Sequence, residues 1–144
     1  MAGFIKPLVV TPLPDGKYWV TDRDLEYCVG TPNSSTRILV PSGFKTDFAS
    51  VPRLLWPILP PIGKYTAAAV LHDWLYQHPQ VFWVSQTESW HALDLNRQGC
   101  DAVFDEAMEV LEVSDWARRL MYRGVRLGGW MPWRKYRKED QRGD

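Results

Sequence analysis

The residues best suited to acid–base chemistry lie in two short segments of the sequence. The first contains His72, Asp73 and Tyr76, and the second contains Arg97 and Asp101. An imidazole beside a carboxylate is a typical general base, because the carboxylate fixes the tautomer and leaves the other ring nitrogen to accept a proton. The two segments therefore predict a pair between His72 and Asp101, with Asp73 available to hold a hard cation.

An irregular segment over 42–61 supplies further oxygen ligands. It contains Asp47 and Ser50, followed by Arg53, and its prolines exclude a long helix. Long loops inside a domain often carry function. We expect oxygens around Asp47 and Ser50 to complete the shell of a hard divalent cation at Asp73.

Each of these residues also has a structural interpretation. His72 can be a hydrogen-bonded histidine between two helices, and Asp101 can form an ordinary ion pair with Arg97, one turn away. Asp47 can cap backbone N–H groups of its own loop, and Arg53 can neutralise a nearby carboxylate within the scaffold. The residue pattern leaves both interpretations open.

Helical spacing brings the two segments together. Apolar residues at 67, 70, 71, 74 and 75 predict a helix over 63–76, and a similar stripe predicts a second helix over about 96–112. Four residues turn a helix by about 400°, so His72 and Tyr76 lie about 40° apart at the edge of the first stripe. Asp101 lies at the edge of the second. If the stripes pack face to face and antiparallel, Asp101 meets His72.

The rest of the chain predicts an α+β fold. Short β-branched and aromatic runs at 7–11, 17–21, 25–29 and 36–40 precede the helices, and Pro14-Asp15-Gly16 favours a hairpin between the first two. A third helix is predicted over 114–127, between Ser114 as N-cap and Gly128-Gly129. We expect a small, mostly antiparallel N-terminal sheet followed by about three helices that include an antiparallel pair.

Length and composition bound the class of protein. The 144 residues, of which 45% are hydrophobic, favour a single domain over 1–131 and a charged tail over 132–144. Lys and Arg number 17, as do Asp and Glu, so general nucleic-acid binding is not expected. No apolar run approaches the ~20 residues of a transmembrane helix. The two cysteines predict free thiols rather than a disulfide framework.

Charge is divided within the helical half. Residues 88–115 hold eight carboxylates and one Arg, whereas residues 116–138 hold eight bases and no acid. Either the second and third helices pair through complementary faces, or the basic face contacts a partner or a phosphate-rich surface.

Three motifs resemble a family of unknown function from tailed bacteriophages and prophages. They are FKTDFASVPR at 44–53, AVLHDWLY at 69–76 and RQGCDAVFDEAM at 97–108, and the likeness extends over about 39–128. The resemblance implies a phage-encoded protein made in the host cytoplasm, with incorporation into the virion as a further expectation.

The helix pair alone is similar to the catalytic helices of secreted phospholipases A2. That resemblance implies that His72 activates water, that Asp73 binds calcium, that Tyr76 gives hydrogen-bonding support and that Asp101 orients the histidine. The sequence departs from those enzymes in two respects. Its loop before the first helix is rich in proline rather than glycine, and it has two cysteines rather than many disulfides.

Two functions follow as expectations. The first is a hydrolase-like protein with a His-Asp/Asp centre that cleaves an ester, amide or glycan bond of the host cell envelope. The second is a non-enzymatic virion component, such as a tail or baseplate accessory protein, in which His72 and Asp101 are structural. Other phage structural proteins would then contact the basic C-terminus and the Trp side chains at 83, 90, 130 and 133.

Overall fold

A computed structural model describes residues 3–30, 36–47, 55, 57–59, 63–84, 87 and 89–141. Along this part of the chain, six strands come first: β1 (Gly3–Lys6), β2 (Val10–Pro12), β3 (Trp19–Thr21), β4 (Leu25–Cys28), β5 (Arg37–Val40) and β6 (Lys45–Thr46). They are followed by α1 (Thr66–Gln77), β7 (Gln80–Val84), β8 (Trp90–Asp94), α2 (Arg97–Val110), α3 (Asp115–Gly128) and α4 (Trp130–Gln141). The predicted α+β class is confirmed.

The chain forms two compact units. Met1–Asp47 and Gln80–Leu95 make a strand unit, and Phe48–Pro79 and Asn96–Asp144 make a helix unit. The strand unit contains a five-stranded antiparallel sheet of order β1-β4-β5-β7-β8 and a three-stranded antiparallel sheet of order β2-β3-β6.

The predicted hairpin between β2 and β3 is present, and its turn has the expected chemistry. The Asp15 carboxylate accepts hydrogen bonds from the backbone N–H groups of Lys17 and Tyr18, at 2.9 and 3.0 Å. Gly16 has φ of +71°, in the left-handed region that glycine adopts without a steric penalty. Local turn chemistry therefore fixes this part of the strand unit.

The hairpin of β7 and β8 is not among the predicted elements. These strands pair over five consecutive positions, from Gln80 opposite Asp94 to Val84 opposite Trp90. β7 joins the larger sheet where Phe82 lies opposite Arg37. All five residues of β8 are exposed, so β8 lacks the alternation of buried and exposed side chains that identifies a strand. Pairing with a distant strand fixes this hairpin.

The three predicted helices are present. The buried face of α1 is centred closer to His72 than predicted, since Ala67 and Trp74 of the predicted stripe are only half-buried and Ala68 and Ala69 are buried instead. On α2 the buried apolar residues are Cys100, Val103, Phe104, Ala107 and Met108. The Asn96 side chain caps α2 by accepting a hydrogen bond from the Gly99 N–H at 2.7 Å. Ser114 directly precedes α3 as predicted, although its side chain makes no capping hydrogen bond.

Helix α4 lies in the segment that the sequence suggested was a charged tail. Pro132 does not prevent it, because proline is tolerated in the first turn of a helix. Trp133 packs edge-on against Tyr76 of α1, with ring centroids 5.3 Å apart. The described part of the helix unit thus has four helices, and contacts with α1 stabilise a helix that its own polar sequence does not predict.

The sequence predicts neither a transmembrane helix nor a disulfide framework, and both expectations can be compared with the described residues. Among them, no helix combines the length and apolar character that crossing a membrane requires. Cys28 and Cys100 are both buried thiols that form no disulfide with a described residue.

Candidate functional site: a buried carboxylate network

Asp101 is the centre of the polar cluster in the helix unit. It lies near the start of α2, and its side chain has no exposed surface. A buried carboxylate is costly unless hydrogen bonds or opposite charges compensate for the lost hydration. Every neighbour of this carboxylate therefore bears on the stability of the unit.

Two donors from α1 reach the same carboxylate oxygen. His72 Nε2 lies 2.7 Å from Asp101 Oδ1, and the Tyr76 hydroxyl donates to that oxygen at 2.6 Å. His72 and Tyr76 are one helical turn apart, so their side chains project from the same side of α1. The predicted contact between His72 and Asp101 across the two helices is present.

Two arginines face the other oxygen. Arg126 of α3 donates to Asp101 Oδ2 at 2.7 Å, and Arg97 Nη1 lies 3.5 Å from it. Arg97 also donates to the backbone carbonyls of Val125 and Arg126, at 3.1 and 3.3 Å. It therefore caps the C-terminal end of α3, where a positive charge is favourable. We call His72, Tyr76, Arg97, Asp101 and Arg126 the Asp101 network.

The ionised state of Asp101 is stabilised by this network. Burial by itself raises the pKa of Asp101, but hydrogen bonds from His72 and Tyr76, together with Arg126, outweigh burial and hold the pKa below its usual value. Burial and the bond to the carboxylate raise the pKa of Tyr76, which therefore stays a donor. Burial and the adjacent Asp101 charge raise the pKa of the Cys100 thiol to about 12.

The ionised state of Asp101 determines which ring nitrogen of His72 carries the hydrogen in their contact. An ionised carboxylate only accepts hydrogen bonds, so Nε2 carries the hydrogen and donates to Asp101. Nδ1 is then the nitrogen of a potential base. The His72 side chain is only 3% exposed, and its ring packs against Tyr76 and Phe104, with centroids 4.2 and 4.7 Å apart. The geometry suits an orienting pair, but the ring has little access to solvent.

Gly129, between α3 and α4, lies against the network. Its backbone is right-handed, with φ of −71°, so its conformation suits any residue. A Cβ at this position would lie 2.5 Å from the Tyr76 hydroxyl and 3.2 Å from Arg97 Nη1. The small size of Gly129, rather than a left-handed end of α3, allows this close approach.

A second arginine cap connects α4 with α1. Arg137 Nη2 donates to the carbonyls of Tyr76 and Gln77 at the end of α1, at 2.8 and 3.1 Å. Its guanidinium also stacks over the Trp133 ring at 4.3 Å and pairs with Asp140. α4 is thus positioned by the same turn of α1 that contributes Tyr76 to the network.

Two other predicted site residues, Asp73 and Asp47, are not among the described members of the network. Asp73 is half-buried on α1 and interacts with other residues, while Asp47 follows β6 in the strand unit. Ser50 and Arg53 lie outside the described residues. Within the described ranges, no group of three or more His, Cys, Asp or Glu side chains could hold a metal ion. These residues supply no Ca²⁺ donor set, and the predicted cation site stays a prediction.

Sequence reasoning missed Arg126 and Gly129. Arg126 lies about 140° from the centre of the buried stripe of α3, at 100° per residue, so its position predicts a solvent-exposed side chain. A basic residue in the last turn is also the ordinary partner of the helix dipole. One signal was available: a fully buried carboxylate requires more donors than one histidine supplies.

The charge pattern of α2 and α3 accounts for another contact. Arg118 of α3 pairs with Asp105 and Glu109 of α2, at 3.6 and 3.1 Å. The predicted pairing of complementary helix faces is therefore present. In contrast, the exposed bases at 119, 123, 134, 135 and 138 form no ion pair with another residue that the structure describes.

Comparison with known proteins identifies a family for this chain. Searches of curated proteins and of solved structures gave no match. A family model described as "Protein of unknown function (DUF1353)" matches residues 19–125. The matched range contains α1, α2 and all but the last turn of α3, whereas Arg126, Gly129 and α4 lie outside it. The chain belongs to this family of proteins of unknown function.

Proposed function

We propose that this protein is a non-enzymatic component of a phage or prophage particle that binds an acidic neighbouring protein through its C-terminal helices. The observation that carries the proposal is that the side chains suited to catalysis are buried, whereas large apolar side chains of the C-terminal helices are exposed. His72 and Asp101 are 3% and 0% exposed, whereas Leu127 and Met131 are 80% and 63% exposed. The His-Asp pair then acts as a structural support.

The proposed binding surface lies at the junction of α3 and α4. We call it the C-terminal surface and define it by Leu127, Trp130, Met131, Arg134, Lys135 and Lys138. It borders an open cavity of about 440 Å³, which is lined by Trp130, Met131, all three cations of the surface and one acid, Glu139. Aromatic, Met and Arg side chains are enriched at protein interfaces, and Trp and Arg contribute much of the binding energy.

Charge defines the chemistry of the partner. Arg134, Lys135 and Lys138 point to a partner with several carboxylates beside an apolar patch, because complementary charges accelerate and orient association. The Asp101 network supports this surface indirectly. It fixes the end of α3 through Arg97 and Arg126, and Gly129 packs against it where α4 begins.

Particle incorporation tests the proposal. Particles would be produced in a host in which the variant gene is the sole copy, and the protein in each particle quantified by immunoblotting. We expect Trp130→Ala and Lys135→Glu/Lys138→Glu to lower incorporation by about tenfold or more, as for interface hot spots. Trp116→Ala is the matched control, since Trp116 on α3 is 57% exposed and Trp130 is 47% exposed. Absence of the wild-type protein from particles, or an equal loss with Trp116→Ala, contradicts the proposal.

A hydrolase is the second candidate, and one observation favours it. The 2.7 Å contact between His72 and Asp101, supported by Tyr76, is the arrangement that orients a histidine base. Wild-type protein would be incubated with ester, amide and glycan substrates derived from cell envelopes. Turnover that His72→Gln abolishes, in a variant that still folds, favours this candidate. Absence of turnover on every substrate favours the structural role.

A further inference from the structure

Strand β8 forms an outer edge of the larger sheet in the strand unit. The sheet order β1-β4-β5-β7-β8 leaves one side of β8 without a partner among the described strands. All five residues of β8, Trp90 to Asp94, are exposed. An exposed edge strand presents unpaired backbone N–H and C=O groups, which are a template for pairing with another strand.

The two outer strands of this sheet differ in their protection against such pairing. β1 ends at Lys6, and its register with β4 is irregular between Phe4 and Lys6. Lysines and irregularities are common means of blocking an edge. β8 has neither: it contains no Lys, Arg or Pro, and it pairs with β7 over five consecutive positions. The β8 edge is therefore the regular, unprotected one.

The hairpin that carries β8 is ordered by its own side chains. The rings of Trp83 and His91 stack across the two strands, with centroids 4.5 Å apart and an angle of 24° between the planes. Val81 of β7 is buried opposite Leu93. Because β8 is already extended, a partner strand can pair with it without a large loss of conformational entropy in β8.

We propose that β8 pairs antiparallel with β8 of a second copy of this chain, with the two-fold axis at Ala92. This register pairs all five residues of each strand, placing Trp90 opposite Asp94 and His91 opposite Leu93 of the other copy. Symmetric dimers require such a self-complementary patch.

Charge is compatible with this register. Asp94 is the only Asp, Glu, Lys or Arg within β8. In the antiparallel arrangement each Asp94 lies opposite a Trp90, so the two carboxylates are at opposite ends of the paired strands, about 14 Å apart at ~3.4 Å per residue. A parallel pairing in register would place them side by side, which is unfavourable for like charges.

The oligomeric state of the full chain tests the proposal. Sedimentation equilibrium over protein concentrations from about 1 µM to 1 mM covers the range of moderate affinities. We expect a dimer whose dissociation constant rises at least about tenfold in Leu93→Lys, since charged residues, Lys especially, block edge pairing. Ile5→Lys on β1 is the matched control, because Ile5 is 51% and Leu93 56% exposed, and it should leave the dimer unchanged.

Disulfide trapping tests the register separately. Paired residues in antiparallel strands have Cα atoms about 4.5–5.5 Å apart, within the range that a disulfide spans. Ala92→Cys should therefore crosslink to itself under mild oxidation, whereas Leu93→Cys should not, because Leu93 faces His91 of the other copy. The native thiols are both buried, so they contribute little background.

Three results would overturn the proposal: a wild-type monomer at every concentration, a dimer that Leu93→Lys leaves intact, or equal crosslinking of Ala92→Cys and Leu93→Cys. None of them bears on the C-terminal surface, because β8 belongs to the strand unit and the C-terminal surface to the helix unit.

Discussion

Replacing Gly129 with alanine would insert a methyl group between α4 and the Asp101 network. The new Cβ would lie 2.5 Å from the Tyr76 hydroxyl and 3.2 Å from Arg97 Nη1, and it would also overlap the Val125 carbonyl oxygen. Relieving these contacts requires displacement of Tyr76 or of the start of α4. Overpacking of this kind costs about 1–3 kcal/mol, so the free energy of unfolding should fall by that amount.

The neighbouring glycine is a matched control. Gly128 is the last residue of α3, and a Cβ at Gly128 would have no heavy atom within 4 Å. Alanine at such a site reduces the conformational entropy of the unfolded chain and stabilises a protein by about 0.4–1 kcal/mol. Two substitutions of the same kind, one residue apart, should therefore change stability in opposite directions.

A double-mutant cycle identifies the clashing group. Tyr76→Phe removes the hydroxyl that the Gly129→Ala methyl would contact, at the cost of the bond to Asp101. The loss of stability caused by Gly129→Ala should be smaller in the Tyr76→Phe background than in the wild type. Urea unfolding of the four proteins, followed by circular dichroism, supplies the free energies.

Two results would contradict these expectations, and each has a different meaning. If Gly129→Ala is as stable as Gly128→Ala, then α4 does not pack against Tyr76 and Arg97 as described. If Gly129→Ala is destabilising but additive with Tyr76→Phe, then the Tyr76 hydroxyl is not the group that excludes a side chain. The first result would refute the inference that a close approach, rather than a turn, requires glycine at this position. The second would assign that close approach to the Val125 carbonyl oxygen instead of the Tyr76 hydroxyl.

Other predictions concern the network and its surroundings. Asp101→Asn should lower the free energy of unfolding by about 3–5 kcal/mol, and Asp105→Asn, at a partly exposed pair with Arg118, by less than about 1 kcal/mol, in urea titrations. The folded state holds the pKa of Asp101 below its usual value. The stability that ionised Asp101 contributes is therefore present above about pH 4 and lost as the pH falls through the lowered pKa. Asp101→Asn should flatten this part of the stability–pH curve. With a pKa of about 12 and no exposed surface, Cys100 should react with Ellman's reagent only after unfolding. Arg137→Lys should speed amide exchange in α4 relative to Lys138→Arg, because an ammonium lacks the planar group that stacks on Trp133 while it donates to both carbonyls.

The sequence predicted the contact at the centre of the network because helical periodicity determines it. The spacing of His72 and Tyr76 places both on one side of α1, and Asp101 lies beside the apolar stripe of α2. Two amphipathic helices that bury these stripes against each other bring the three side chains together. Periodicity does not supply the relative orientation of the two helices, so that step also required the assumption that the stripes pack face to face and antiparallel.

The rest depended on distant parts of the chain. Arg126 reaches Asp101 from a helix position that periodicity assigns to solvent, and α4 depends on Trp133 and Arg137 contacting α1. The β7–β8 hairpin likewise depends on pairing with β5, since its exposed outer strand has no buried face to produce a pattern. Tertiary contacts override local propensity at each of these places.

The motif of histidine, aspartate and tyrosine does not by itself distinguish catalysis from packing. A carboxylate at a helix interface must have both oxygens satisfied, and a histidine, a tyrosine and an arginine are efficient donors for that purpose. An active site uses the same donors to orient a base. What separates the two is access: a base must reach substrate, and His72 is almost completely enclosed. His72→Gln should therefore change stability rather than turnover, and the interactions of this protein should be sought at its exposed apolar surfaces.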